Sequence, residues 1–223
     1  MKPDQHTTFQ LLGFDPYWVC VVYDLIHYQY KLPIRVEVFP NLELDGKAND
    51  LIKRIDYTIK SMQDVRPNQH VLFGLASGRH KHKVYKDFKP YLNNEDYNNL
   101  VSNSSVISQS CQLDYGILVD YQCVVSSQTA IGFGVSIKRG AKIGHHNKIG
   151  AFTDINPGVV TSGNVTIGKG CEIGTGSLVN NNVTIGDNTF IGMGSVVTKD
   201  IPPNCIAYGS PCKVVRPNEL WEI

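Results

Sequence analysis

The sequence predicts a small α/β domain over residues 1–100 followed by an all-β parallel β-helix over residues 101–223. Three observations lead there. Glycine is unevenly spread, with four in the first hundred residues and sixteen in the rest. From Ile107 onward an aliphatic residue returns every six positions. Before residue 100, apolar runs of strand length alternate with runs of helical period.

In the first part, Phe9–Phe14 (FQLLGF) reads as a strand. Trp18–Tyr30 reads as a helix, because Val19, Val22, Ile26 and Tyr30 recur at roughly helical spacing. Ile34–Phe39 reads as a second strand closed by Pro40, and Val71–Leu75 as a third. Arg79–Phe88 reads as a helix stopped by Pro90. The polar stretch Asn41–Asn68 gives no clear pattern. Strand, helix, strand spacing predicts a parallel sheet of the doubly wound, Rossmann-like type.

Two loops stand where such folds hold phosphate. Gly13, Phe14 and Asp15 open the segment GFDPYW, where the first strand meets the first helix. The glycine-rich fingerprint is missing there, and Pro16 has no N–H to offer. The second loop, Gly74–Arg79 (GLASGR), leads into Arg79, His80, Lys81, His82 and Lys83. This basic run suits a phosphorylated or acidic ligand, and equally a solvated helix start.

In the second part the anchors run Ile107, Leu113, Val119, Val125, Ile131, Ile137, Ile143, Ile149, Ile155, Thr161, Ile167, Ile173, Val179, Ile185, Ile191 and Val197. Only Thr161 is polar. A period of six fits a short strand, a tight corner and another short strand, and not a helix. Three such sides close a triangular coil of 18 residues, so residues 18 apart stack rung over rung, ~4.8 Å apart. Glycine and asparagine serve the corners. The break at Thr161, within Thr161–Asn164 (TSGN), reads as shaped around a ligand rather than by core packing.

Charge and composition narrow the function. Twenty-one Lys and Arg against twenty Asp and Glu leave a net charge of +1, which argues against nucleic acid or an anionic membrane as the main partner. No apolar stretch approaches the ~20 residues of a membrane span. Met1–Gln10 lacks the apolar core of a signal peptide. The six cysteines, at 20, 111, 123, 171, 205 and 212, form no CxxC pair, so neither a disulfide framework nor a zinc site is expected, and a cytoplasmic setting is.

The closing segments VTKDIPP (Val197–Pro203) and AYGSPCKVV (Ala207–Val215), together with IGHHNKIGAFTDINPG (Ile143–Gly158) and the repeat itself, carry a resemblance. The chain resembles the hexapeptide-repeat sugar acetyltransferases of the sialic acid O-acetyltransferase, bacillosamine and perosamine N-acetyltransferase type. That resemblance implies a left-handed coil, a nucleotide-sugar-binding N-terminal domain, acetyl-CoA as cosubstrate, no metal, and a homotrimer with the donor lying between neighbouring coils. It makes His145 the general base, since a histidine followed four residues later by Ile149–Gly150 matches the family's segment. An imidazole suits that work at neutral pH. Gly163, eighteen residues on, is implied as the oxyanion donor. Asp154, Gly163, Thr175, Gly192, Met193, Lys199, Pro211 and Lys213 are implied contacts of acetyl-CoA. Gly13, Phe14 and Asp15, from the loop after the first strand, and Lys138 and His146, from the repeat, are the candidate contacts of the acceptor.

Three departures from the family pattern bear on that reading. His146 stands where the family usually has Asp or Glu, so either a backbone carbonyl orients His145 or His146 shares the work. Asp154 replaces a histidine nine residues after the base, and Lys138 replaces an asparagine seven residues before it. The expected activity is transfer of acetyl to the amino group of a nucleotide-linked amino-deoxy sugar, for surface glycan assembly. Transfer to a sugar hydroxyl is the alternative, and a non-catalytic trimeric scaffold is the alternative of another class.

Overall fold

The computed structural model describes residues 7–30, 33–40, 55 and 57–218. The chain divides into two compact units, Met1–Leu100 and Val101–Ile223.

The first unit contains β1 (Thr7–Leu12), α1 (Pro16–Gln29), β2 (Ile34–Phe39), β3 (Tyr57–Ile59), β4 (His70–Phe73) and α2 (Gly78–Phe88). The strands lie in the order β3-β2-β1-β4, and all three pairings are parallel. Strand β1 is central, with Leu11 and Leu12 fully buried, as expected for a parallel strand covered on both faces. Helix α1 buries Trp18, Val19, Val22, Leu25 and Ile26, one stripe at helical spacing. Strand β3 is short, with two of its three residues exposed, so its sequence carries no run of apolar residues to mark it. It falls in the stretch Asn41–Asn68, of which residues 41–54 and 56 lie outside the described residues.

The second unit is a parallel β-solenoid. Two-residue strands stack on three faces. Face 1 runs through Gln112–Leu113, Ala130–Ile131, Lys148–Ile149, Thr166–Ile167 and Thr184–Ile185. Face 2 runs through Leu118–Val119, Ser136–Ile137, Asp154–Ile155, Glu172–Ile173 and Phe190–Ile191. Face 3 runs through Val106–Ile107, Val124–Val125, Lys142–Ile143, Val160–Thr161, Leu178–Val179 and Val196–Val197. The anchors point inward and form one continuous core, in which Ile137, Ile155, Ile173 and Ile191 are wholly buried. A single coil cannot bury such a row; stacking does.

Corners repeat two devices. The third residue after an anchor is left-handed, as at Gln128, Asn164 and Asn182 with φ of 58°, 59° and 61°. The fourth residue turns inward, and where it is Ser or Thr its hydroxyl closes the corner. Thr129 Oγ1 donates to Gly144 O at 2.9 Å, and Thr153 Oγ1 donates to Gly168 O at 2.7 Å. Thr153 also accepts from Cys171 N at 3.0 Å, one coil further on. Face 2 ends in an antiparallel hairpin, Cys205–Gly209 and Cys212–Pro217, whose Ile206 and Ala207 pair with Phe190 and Ile191.

Candidate active site

The edge between faces 3 and 1 carries Ser127, His145, Gly163 and Asn181 at equivalent corner positions. His145 and His146 are both exposed. The His145 ring lies directly over Gly163: a Cβ added to that glycine would overlap ring atoms Cε1 and Nε2. Glycine is therefore needed there by the close approach of the imidazole. Among the described residues the Gly163 N–H makes no hydrogen bond, while its carbonyl accepts from Asn182 N at 3.1 Å. The imidazole and a backbone N–H without a partner among the described residues thus sit at the same exposed corner.

His146 occupies the left-handed corner position, with φ of 57°, and its N–H donates to Ser127 O at 2.9 Å. Its Nδ1 lies 3.0 Å from His145 Nδ1, with the rings edge to face at 88°. One proton between two Nδ1 atoms makes this a hydrogen bond, so His146 stands as the partner of His145 Nδ1.

Asn147, the fourth residue after anchor Ile143, joins this corner without being among the sequence candidates. Small or β-branched residues hold that corner position in neighbouring coils, and Asn147 is the departure. It is buried, with Oδ1 accepting from Val165 N at 2.7 Å and Nδ2 donating to Thr161 Oγ1 at 2.5 Å. Thr161 Oγ1 also accepts from Gly144 N at 3.0 Å. Thr161 is 4 % exposed and its hydroxyl serves this internal network. The expectation that a ligand shapes Thr161 is corrected accordingly: the polar break is satisfied inside the coil. The usable signal was the coincidence of two irregularities, Asn147 and Thr161, in adjacent coils.

The other candidates lie elsewhere. Thr175, Gly192 and Met193 follow face 2 strands and line the edge between faces 2 and 3; Met193 is 79 % exposed, and Gly194 N donates to Thr175 O at 2.9 Å. That edge and the His145 edge are separated by the whole of face 3. Asp154 is buried on face 2. Lys138, half-buried, donates to Asn156 Oδ1 at 2.8 Å, and Asn156 Nδ2 donates to Glu172 Oε1 at 3.2 Å. Lys199, Pro211 and Lys213 are exposed.

In the first unit, Gly13 is buried with φ of 78°, and a Cβ there would strike Leu75. Asp15 caps α1, its Oδ1 accepting from Tyr17 N and Trp18 N at 3.0 and 3.1 Å. That is the ordinary work of an N-cap carboxylate. Phe14 is half-buried and its ring sits 6.3 Å from that of Tyr57. The basic run on α2 is not a uniform charged surface: Lys81 is buried. Burial, with Lys86 nearby, holds the His82 imidazole below its usual value.

Among the described residues no group of three or more His, Cys, Asp or Glu side chains could hold a metal ion. None of their helices is long and apolar enough to cross a membrane.

Residues 164–199 match the family described as bacterial transferase hexapeptide (six repeats). No curated protein matches the chain. Among solved structures the fold is shared with a mutant of perosamine N-acetyltransferase from Caulobacter crescentus in complex with CoA and GDP-perosamine. That likeness has a TM-score of 0.76 and 20% identity, over 95% of this chain and 97% of that one. The acetyltransferase domain of PglB from Neisseria gonorrhoeae FA1090, in complex with acetyl coenzyme A, gives 0.80 and 19%, over 94% and 100%. WeeI from Acinetobacter baumannii AYE gives 0.70 and 21%, over 94% and 100%. At this identity the likeness is one of fold, and it extends through both units.

Proposed function

We propose that the chain is an acetyl-CoA-dependent sugar acetyltransferase, acting on the amino group of a nucleotide-linked amino-deoxy sugar. The observation that carries this reading is the His145 imidazole lying over Gly163, whose N–H has no partner among the described residues. Acetyl transfer requires a base for the attacking group and a donor for the charge that develops on the carbonyl oxygen. This edge of the solenoid carries a candidate for each. The solved structures of like fold, two of them described with CoA or acetyl coenzyme A, support the same donor.

In this reading His146 Nδ1 accepts the proton of His145 Nδ1, which leaves Nε2 free. His145 Nε2 takes the proton of the acceptor amine as its nitrogen bonds to the acetyl carbonyl carbon. The Gly163 N–H meets the charge on the carbonyl oxygen. As the carbon–sulfur bond breaks, the imidazolium returns its proton to the departing sulfur of CoA. Atoms balance without a covalent acyl-enzyme and without a metal.

The acetyl-CoA candidates supply the reason for an oligomer. Thr175 and Met193 stand on one edge and His145 on another, so one ligand reaches both sets only where two coils lie side by side. Face 3, between those edges, presents Val106, Val124, Val160 and Leu178 outward, 64, 38, 37 and 47 % exposed, with exposed Lys142 between Val124 and Val160. A homotrimer of left-handed coils that covers this stripe brings the two edges together. The first unit, Rossmann-like in this reading, holds the acceptor's nucleotide by the loops after β1 and β4. An acetyl-CoA donor implies a cytoplasmic reaction, and surface glycan assembly is its setting.

Titration calorimetry with acetyl-CoA tests the donor, and turnover across dTDP-, UDP- and GDP-linked amino sugars tests the acceptor. Saturable binding with turnover of an amino sugar is expected. Absence of acetyl-CoA binding would leave a structural scaffold in its place.

A further inference from the structure

We infer that Asn147 and Thr161 form a buried polar strut that sets the position of His145 over Gly163, at the expense of regular coil packing. The inference rests on the base reading above and deepens it.

Elsewhere in the described solenoid from Val106 to Val197, coil-to-coil pairings match two residues each, for example Ile131 with Ile149 and Val125 with Ile143. Between Lys142–Ile143 and Val160–Thr161 only Lys142 and Val160 match. The missing step is the one leading into the His145 corner. In other coils the N–H after the anchor donates to the anchor carbonyl of the next coil, as Ser126 does to Ile143 O and Ser162 to Val179 O, both at 2.9 Å. Here Gly144 N turns to the Thr161 hydroxyl instead. That hydroxyl is held from the other side by Asn147 Nδ2.

The two irregular residues explain one another. Where the corner residue carries an oxygen it accepts from the N–H eighteen residues on, as Thr129 does from Asn147 N and Thr153 from Cys171 N, and Asn147 Oδ1 does so from Val165 N. An asparagine has a second function to satisfy, and burial makes an unpaired amide costly. Thr161 supplies the partner. Together they tie the segment bearing His145 and His146 to the segment bearing Gly163, at both ends of the corner. Local rules broken in this way cluster at functional sites.

The test uses Asn147→Thr with Thr161→Val, together and singly. The double variant returns both positions to the solenoid's ordinary pattern, since Thr129 and Thr153 already close such corners and Val is close in shape to Thr. It is expected to match or exceed the wild type in thermal midpoint, to keep its KM for acetyl-CoA, and to lose about 10- to 100-fold in kcat, the scale of a small misplacement of reacting groups. Thr161→Val alone, with Asn147 Nδ2 left unpaired, is expected to melt lower than either. The ring ¹H and ¹⁵N resonances of His145 report its surroundings without turnover, and a shift in the double variant is expected. Unchanged resonances with unchanged kcat would overturn the strut. If His145→Ala retains turnover, the base reading fails, and the resonances alone decide the strut: a shift supports it and none refutes it.

Discussion

An imidazole resting on a glycine leaves no space for a side chain beneath it. At Gly163 even a methyl group meets the His145 ring, and the ring is the flexible partner, so it moves. Gly163→Ala is expected to displace His145 and lower kcat by about 100-fold, with acetyl-CoA binding retained. Steady-state kinetics with a crystal structure of the variant check this; an unmoved ring with full activity would contradict it. The same corner shows which single residues the sequence makes legible. His145 stood out because its segment resembles a known one. Gly163 followed from the 18-residue period. Asn147 did not stand out, because a buried asparagine is identical in sequence to an exposed one until its partner is known. Asp15 and Gly13 drew attention by standing where phosphate loops stand, yet their observed bonds and contacts are those of a helix cap and a tight turn against Leu75.

At the scale of the corner and strand, the hydroxyl or thiol after many of the turns is a repeated fastener. Cys171 continues the Thr153–Cys171–Thr189 column, donating from Sγ to Gly186 O at 3.1 Å. Burial pushes its thiol from 9.0 up to about 12, partly opposed by bonds from Thr189, Gly168 and Thr153. The folded chain therefore holds this thiol neutral where the unfolded chain releases its proton. The contribution to stability is complete below pH 9.0 and is lost as pH rises towards about 12. Cys171→Thr, which keeps the fastener and removes the titration, is expected to show a shallower alkaline decline. Urea midpoints at neutral pH and inside that window measure it, and an unchanged decline would assign the effect elsewhere. Elements of this kind were readable in advance because one rule repeats without insertion from Ile107 to Val197. The first unit was less readable. Strand β4 begins at His70, and β3 is three residues long, since short strands are chosen by their neighbours in the sheet rather than by their own pattern.

For the whole molecule, the account needs neighbouring coils to complete each site. The aliphatic stripe of face 3 is the surface expected to be covered. Sedimentation is expected to find three copies of wild-type chain, and Leu178→Arg, which replaces an exposed apolar residue of that stripe by a charge, is expected to yield single copies with weakened acetyl-CoA binding. A monomeric wild type that still turns over would contradict this assembly. In this chemistry His145 Nε2 takes the proton of the acceptor, and replacing its ring removes that atom. For His145→Ala, kcat is expected to fall by about 10²- to 10⁴-fold while calorimetry returns the wild-type affinity for CoA. Turnover within a few-fold of the wild type would show that the proton goes elsewhere.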